Sequence, residues 1–250
     1  MTVGQGHPDT GKEKYIHRLF DTIATRYDLM NLVLTGGLVR YWQRVFRGYT
    51  GLRPGDRALD VCCGTAELAL IMARQVGKAG KVYGLDFSRR MLEVAHRKVA
   101  SSPCAGRIEL VEGNALHLPF DDNTFNCAAI GFALRNVSDM RRVLAEMARV
   151  VTPGGRVISL ELTKPENLLF RSGYYLYFYY LVPLLGRLVE RGWPAEGGKR
   201  PYTWLPHSLT RFPDRHHLAA IFRQAGLADV VVRPLSGGVV AIHVGTKPAL

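Results

Sequence analysis

Three short segments of this 250-residue chain carry residue types that suit an adenosine. Cys63-Gly64-Thr65-Ala66 is a turn of small residues. A small residue lets backbone approach a ligand closely, and the helix that follows offers its unpaired N–H groups. Asp86 stands 22 residues beyond Gly64. An acid at that spacing can accept hydrogen bonds from both hydroxyls of a ribose. Gly113-Asn114-Ala115 comes next. An Asn there can bond the edge of adenine, and Ala115 leaves room for the ring. A dinucleotide needs G-x-G-x-x-G to seat its pyrophosphate, whereas this turn has the single glycine Gly64. An adenosine that carries an α-amino acid needs no such cradle, so the set points to S-adenosylmethionine. The competing reading is that Asp60 and Asp86 merely cap strand ends.

These residues need strands to present them, and the pattern supplies strands. Ala58–Cys63 is a buried strand, and Ala66–Val76 has helical apolar spacing. Lys81–Asp86 is a second strand, and Ser88 is placed to cap a helix running to Val99. Arg107–Gly113 and Phe125–Leu134 are a third and a fourth strand. A helix starts at Asp139, runs to about Val151 and stops at Pro153-Gly154-Gly155, ahead of a fifth strand, Arg156–Leu162. This alternation predicts right-handed crossovers and a parallel sheet, with the three ligand segments at carboxyl ends of consecutive strands. The rhythm breaks between Lys164 and Arg211. It resumes with a helix near Asp214–Ala225 and two strands close enough for a hairpin, one of them antiparallel to the rest. Glu13–Tyr49 reads as two helices broken at Gly36-Gly37. The expected fold is α/β, a seven-stranded Rossmann-like sheet of the class I methyltransferase type. It forms a single domain: an N-terminal helical cap (1–50), a cofactor-binding core (51–163), a lid insertion (164–211), and a closing helix and hairpin (212–250).

Composition narrows the partners. With 47% hydrophobic residues the chain can bury a sizeable core. The net charge of +12 suits an anionic partner, or else only a solubilising surface. No basic run is long enough to be a nucleic-acid arm. Cys62, Cys63, Cys104 and Cys127 form no CxxC pair and have no His at metal-ligand spacing, so no metal is expected. The polar N-terminus and the lack of any apolar stretch of ~18 residues point to a cytoplasmic protein without a spanning helix.

Longer segments carry a resemblance. Tyr27–Trp42 (YDLMNLVLTGGLVRYW) and Arg149–Pro165 (RVVTPGGRVISLELTKP) are similar to the two signatures of the ubiquinone/menaquinone C-methyltransferase family. GLDFSRRML, LPFDDNTF, FALRNVSD and GGVVAIHVGTK are also similar to stretches of that family. The resemblance runs from Phe20 to Lys247. It implies methylation of a ring carbon of a prenylated quinol, with S-adenosylmethionine contacts at Thr65, Asp86, Asn114, Ala115 and Gly131. Thr35, Val39, Thr152 and Thr163 depart from the signatures, and Gly131 stands where Ser is common. The family commonly has an Asp shortly before a Tyr-x-Tyr-Leu stretch; here Gly198-Lys199-Arg200 precede Tyr202, and Trp204 replaces the second Tyr. Its DVCCGTA turn is closer to menaquinone members than to ubiquinone ones, so demethylmenaquinol is the expected acceptor. A ubiquinone-pathway benzoquinol or another small molecule is the alternative.

Methyl transfer to an aromatic carbon needs an electron-rich ring aligned with the methyl group. Arg135 and Asn136 follow the fourth strand. Arg135 is expected to stabilise developing phenolate charge, and Asn136 to orient the hydroxyl. Tyr27 is expected to close over the site. A surface pair between Arg135 and Asp139 is the alternative for Arg135. His117 and His243 are candidate bases but fit packed or solvent-facing roles better. Glu161 faces the site or serves as a structural carboxylate. The insertion segment Leu168–Val189 crowds five tyrosines into Tyr174–Tyr180. It reads as a lid over a prenyl groove, an interfacial helix attracted to anionic lipid through Arg187, Arg191, Lys199 and Arg200, or an ordinary cap helix. Peripheral attachment at the inner face of the cell membrane and a homodimer both fit. A base-amino methyltransferase needs an Asn/Asp-Pro-Pro-aromatic loop after strand four, where GFALRN stands. Pro103-Cys104 lies away from that loop, which also disfavours a cysteine-dependent RNA enzyme. A non-catalytic cofactor-binding protein is the remaining rival.

Overall fold

A computed structural model describes residues 11–165, 167, 173–174, 176–177, 180, 184, 208–210 and 212–249. Most of the tyrosine-rich segment, the basic residues from Arg187 to Arg200, Tyr202 and Trp204 lie outside the described residues.

Seven strands form one sheet: β1 (Arg57–Val61), β2 (Lys81–Asp86), β3 (Ile108–Glu112), β4 (Phe125–Gly131), β5 (Val151–Leu162), β6 (Ala228–Leu235) and β7 (Val240–Thr246). Their order is β3-β2-β1-β4-β5-β7-β6. β7 runs antiparallel to β5 and β6, and the β1–β5 pairings are parallel. The sheet order reverses between β1 and β4, so a crevice opens at their carboxyl ends. Open α/β sheets bind ligands there.

Alternation along the strands sends side chains to two cores. Ala58, Val82, Cys127 and Ile158 pack with α3 (Leu38–Tyr49) and α4 (Glu67–Gln75). Leu59, Leu85, Ala128 and Val157 pack with α6 (Met140–Val150) and α7 (Arg215–Gln224). The helix starts follow from their caps. Ser88 accepts the Met91 N–H ahead of α5 (Arg89–Ala100), Asp139 accepts the Arg142 N–H, and Asp214 accepts those of His216 and His217. Each such cap stabilises its helix by about 1 kcal/mol.

Two expectations shift. The N-terminal region forms three helices rather than two: α1 (Gly11–Ile23), α2 (Tyr27–Leu34) and α3. The added break is a 3-10 turn at Ala24–Arg26. Neither glycine nor proline marks it; it is held where Ile23 and Ala24 pack on Met91 of α5. The second shift is at Pro153-Gly154-Gly155. Strand β5 begins at Val151, and the pairing jumps from Phe125↔Val151 to Cys127↔Arg156. The intervening residues bulge out, with Gly154 at φ 77° and reciprocal bonds between Gly154–Gly155 and Lys247.

Candidate active site

A cavity of ≈ 440 Å³ lies at the carboxyl ends of β1, β2 and β4, and Gly64, Asp86, Asn114, Ala115 and Gly131 all line it. A second cavity of ≈ 230 Å³ runs along the turn after β1, past Asp60, Cys63 and Thr65. Tyr27, Cys62, Gly64, Gly131 and Phe132 border both. The two spaces therefore meet between the ends of β1 and β4, under Tyr27.

Strain concentrates at this junction. Cys62 (φ 55°), Gly64 (φ 52°), Ala66 (φ 67°) and Phe132 (φ 56°) all adopt left-handed backbone. For the non-glycine residues this costs on the order of 1–3 kcal/mol each and is found mainly where function requires the geometry. Phe132 is held there by its N–H to the Leu160 carbonyl at 2.8 Å and by its ring against Trp42. At Gly131 an added Cβ would lie 2.6 Å from Leu68 Cδ1. The serine common in the resembled family would thus have to displace the end of that leucine.

Asp86 organises the larger cavity. Its Oδ2 accepts the Gly64 N–H at 2.8 Å, and its Oδ1 accepts the Ser88 N–H at 2.9 Å. Burial lifts its carboxyl to about 6, against the pull of these N–H donors. Asn114 Oδ1 accepts the Leu116 N–H at 2.9 Å, which leaves the amide NH2 as its ligand-facing donor. The other walls were not foreseen: Ile16, His17 and Phe20 of α1, and Phe87, Met91 and Leu116. The apolar spacing of α1 shows only that it packs, not on what.

Thr65 borders the smaller cavity, and its hydroxyl donates to Asp28 Oδ1 at 2.6 Å. Lys98 of α5 lies 2.5 Å from both Asp28 and Glu67, so these groups fasten α2 to α4 and α5. Arg135 borders neither cavity. It is 7% exposed and pairs at 3.1 Å with Glu161, which is fully buried. Asp139, its expected alternative partner, caps α6 instead. Glu161 also accepts the Leu134 N–H at 2.7 Å and the Ala133 N–H, so it pins the loop after β4. Burial raises the Glu161 carboxyl, and Arg135 opposes that rise. Asn136 and Tyr27 do line the larger cavity. Burial raises the Tyr27 phenol, while Asn31 and the nearby Arg135 pull it down. His243 is buried, bonded through Nε2 to the Arg215 carbonyl, and pushed down to about 4 by burial. It lies away from both cavities and is a packed histidine. His117 is exposed, beside Arg142. The four cysteines are free, and no metal-binding group of His, Cys, Asp or Glu occurs among the described residues.

Asp60, an acid bordering the smaller cavity, is 1% exposed, with Oδ2 accepting the Ala69 N–H at 2.8 Å. Burial raises its carboxyl from 3.8 to about 8. The folded state thus holds a proton that the unfolded chain has already lost. The stabilisation this represents is full below about pH 4 and drains away as the pH rises to about 8. Asp60→Asn keeps an acceptor for Ala69 without that titration. The variant should match the wild type near pH 4 and exceed it by several degrees of Tm near pH 8. Thermal melts of the ligand-free proteins across that range check this; parallel curves would refute it.

Sequence comparison bears on the chemistry. Residues 9–247 match the ubiE/COQ5 methyltransferase family. The chain belongs to that family. Demethylmenaquinone methyltransferases of Bacillus mycoides (strain KBAB4) and Bacillus cereus (strain ATCC 10987 / NRS 248) are each 45% identical to it over 237 residues. The match covers 95% of this chain and 97% of theirs. Among solved structures, a SAM-dependent methyltransferase from Aquifex aeolicus shares the fold (TM-score 0.58, 20% identity, 82% of this chain and 89% of that one). So does a possible histamine N-methyltransferase from Thermotoga maritima (TM-score 0.63, 21% identity, 93% and 99%). The cyclase SpnF does too (TM-score 0.64, 18% identity, all of both chains), so the fold alone does not decide the reaction. Family membership does: the protein is a methyltransferase that uses S-adenosylmethionine.

Proposed function

We propose that this methyltransferase converts a demethylmenaquinol to the corresponding menaquinol by methylating the naphthoquinol ring. The observation that carries the proposal is the 45% identity to demethylmenaquinone methyltransferases over 95% of the chain. The site accommodates the chemistry. In the larger cavity Asp86 would hold the ribose of the donor, and Asn114 and Ala115 its adenine. Tyr27, Gly64 and Gly131, which border both cavities, would then surround the sulfonium. The ring carbon attacks the methyl in line as the sulfur–carbon bond breaks, S-adenosylhomocysteine leaves, and the ring proton passes to water. Only the quinol is electron-rich enough to react. Asn136 orients the ring hydroxyl, and Tyr27 covers the methyl. Arg135, whose charge reaches the Tyr27 phenol, acts on the developing phenolate through that phenol.

A prenylated substrate lives in a bilayer, and the proposal includes peripheral contact with anionic membrane through exposed apolar residues of the insertion. No helix among the described residues is long and apolar enough to cross a membrane. Leu176, Tyr180 and Leu184 are nonetheless exposed at four-residue spacing, and Tyr177 bonds the Leu34 carbonyl at the end of α2. Exposed apolar and tyrosine side chains of that kind suit a membrane interface.

The test is transfer of labelled methyl to demethylmenaquinol embedded in vesicles. Label should appear on the naphthoquinol ring, and faster from anionic than from zwitterionic vesicles. Label on a benzoquinol but never on the naphthoquinol would overturn the substrate. Equal rates from both vesicles would remove the membrane contact alone.

A further inference from the structure

The smaller cavity begins where the proposed sulfonium sits, and a methionyl moiety extending from it ends in an ammonium and a carboxylate. The carboxyls bordering this cavity are Asp28, Asp60 and Glu67, and Arg40 is the cation among the described residues that line it. The acids are already engaged. Lys98 takes both Asp28 and Glu67, Gln43 also donates to Glu67, and Asp60 receives Ala69. Arg40 has no acid within ion-pair distance among the described residues. An unneutralised guanidinium on the wall of a ligand cavity is suited to a planar anion, because its fork matches a carboxylate in two parallel bonds.

The base of that side chain is firmly placed. Gly37 turns the chain into α3 at φ 83°. Thr35 Oγ1 accepts the Val39 N–H at 3.2 Å. Val39 and Trp42 are buried on either side, and the Trp42 indole donates to Ser236 Oγ at 2.8 Å. We infer that Arg40 is the binding residue for the carboxylate of the methyl donor's amino-acid end. Asp28 and Glu67 share the single cation Lys98, which leaves the ammonium a net negative charge on the same cavity. This inference rests on adenosine occupying the larger cavity.

Three probes separate the two ideas by calorimetry: S-adenosylhomocysteine, its decarboxylated analogue and methylthioadenosine. Arg40→Ala should weaken S-adenosylhomocysteine about tenfold or more, because one charge-assisted contact is lost. It should leave both probes without a carboxylate within about twofold, since neither made that contact. Arg40→Lys should recover part of the loss, having the charge without the fork. In turnover, the donor KM should rise while kcat holds. Equal weakening of all three ligands, or of none, would overturn the assignment. Failure of methylthioadenosine to bind the wild type, or its indifference to Asp86→Ala, would instead remove the cavity assignment beneath it.

Discussion

Replacing Asp86 by alanine is expected to weaken S-adenosylhomocysteine by roughly a hundredfold to ten-thousandfold, with a matching loss of kcat/KM for the donor. Two ribose hydroxyls give up charge-assisted bonds, each about 1.5–3 kcal/mol, and 1.4 kcal/mol is tenfold. A second loss adds to this. The same carboxylate holds the Gly64 and Ser88 N–H groups, so the turn after β1 loses its anchor to β2. A pH series tests the cause. Burial places that carboxyl at about 6, and the hydroxyls bind its ionised form. Affinity in the wild type should therefore fall as pH drops through about 6, by up to about tenfold per unit below it. In Asp86→Asn it should be low and flat across that range. An alanine variant that binds within threefold (about 0.7 kcal/mol) would mean that the ribose lies elsewhere. A folded wild type whose affinity is level from pH 7 to 5 would mean that the charge is not used.

The parts of this site readable in advance are those built from near neighbours in the chain. Lys81–Asp86 is a strand because five mostly apolar residues precede an acid, and Ser88 caps the next helix; both lie within eight residues. Asn114 and Ala115 follow β3 directly. What stayed hidden depends on long-range placement. Thr65 meets Asp28 across 37 residues. Arg135 meets Glu161 across 26, by virtue of the β4–β5 register. Nothing local tells Arg135 to prefer Glu161 over Asp139, which is closer in sequence but spends its carboxylate on a helix N-terminus. Arg40 was visible as a residue of a family-like segment, yet its exposure to a cavity follows only from the way α3 packs on α2, α4 and β7. The break before Tyr27 has the same origin. Without glycine or proline, it exists because Ile23 and Ala24 pack on Met91, and it aims Tyr27 at the junction of the cavities.

That geometry makes Arg135 and Glu161 a pair whose two roles can be separated. Arg135→Ala leaves Glu161 buried without its cation and is expected to cost about 3–5 kcal/mol of stability. It should also lower kcat, by less than the roughly hundredfold effect of removing a donor in direct contact with the developing charge, because Arg135 acts through Tyr27. Glu161→Gln keeps an acceptor for Leu134 but leaves the guanidinium unneutralised. The Tyr27 phenol then feels more positive charge, and its ionisation should move to lower pH. The double variant Arg135→Ala/Glu161→Gln removes both charges, so no buried ion is left alone. Its stability should return to within about 1 kcal/mol of the wild type, because a neutral pair of similar volume replaces the ionic one. Its turnover should not return. Stability recovered without activity would mean that Arg135 serves the reaction through Tyr27. Recovery of both would mean that the pair only holds the loop after β4 in place. Denaturation midpoints, kcat and the pH profile of kcat on the four proteins decide between these outcomes, and donor affinity should stay constant throughout, since Arg135 borders neither cavity.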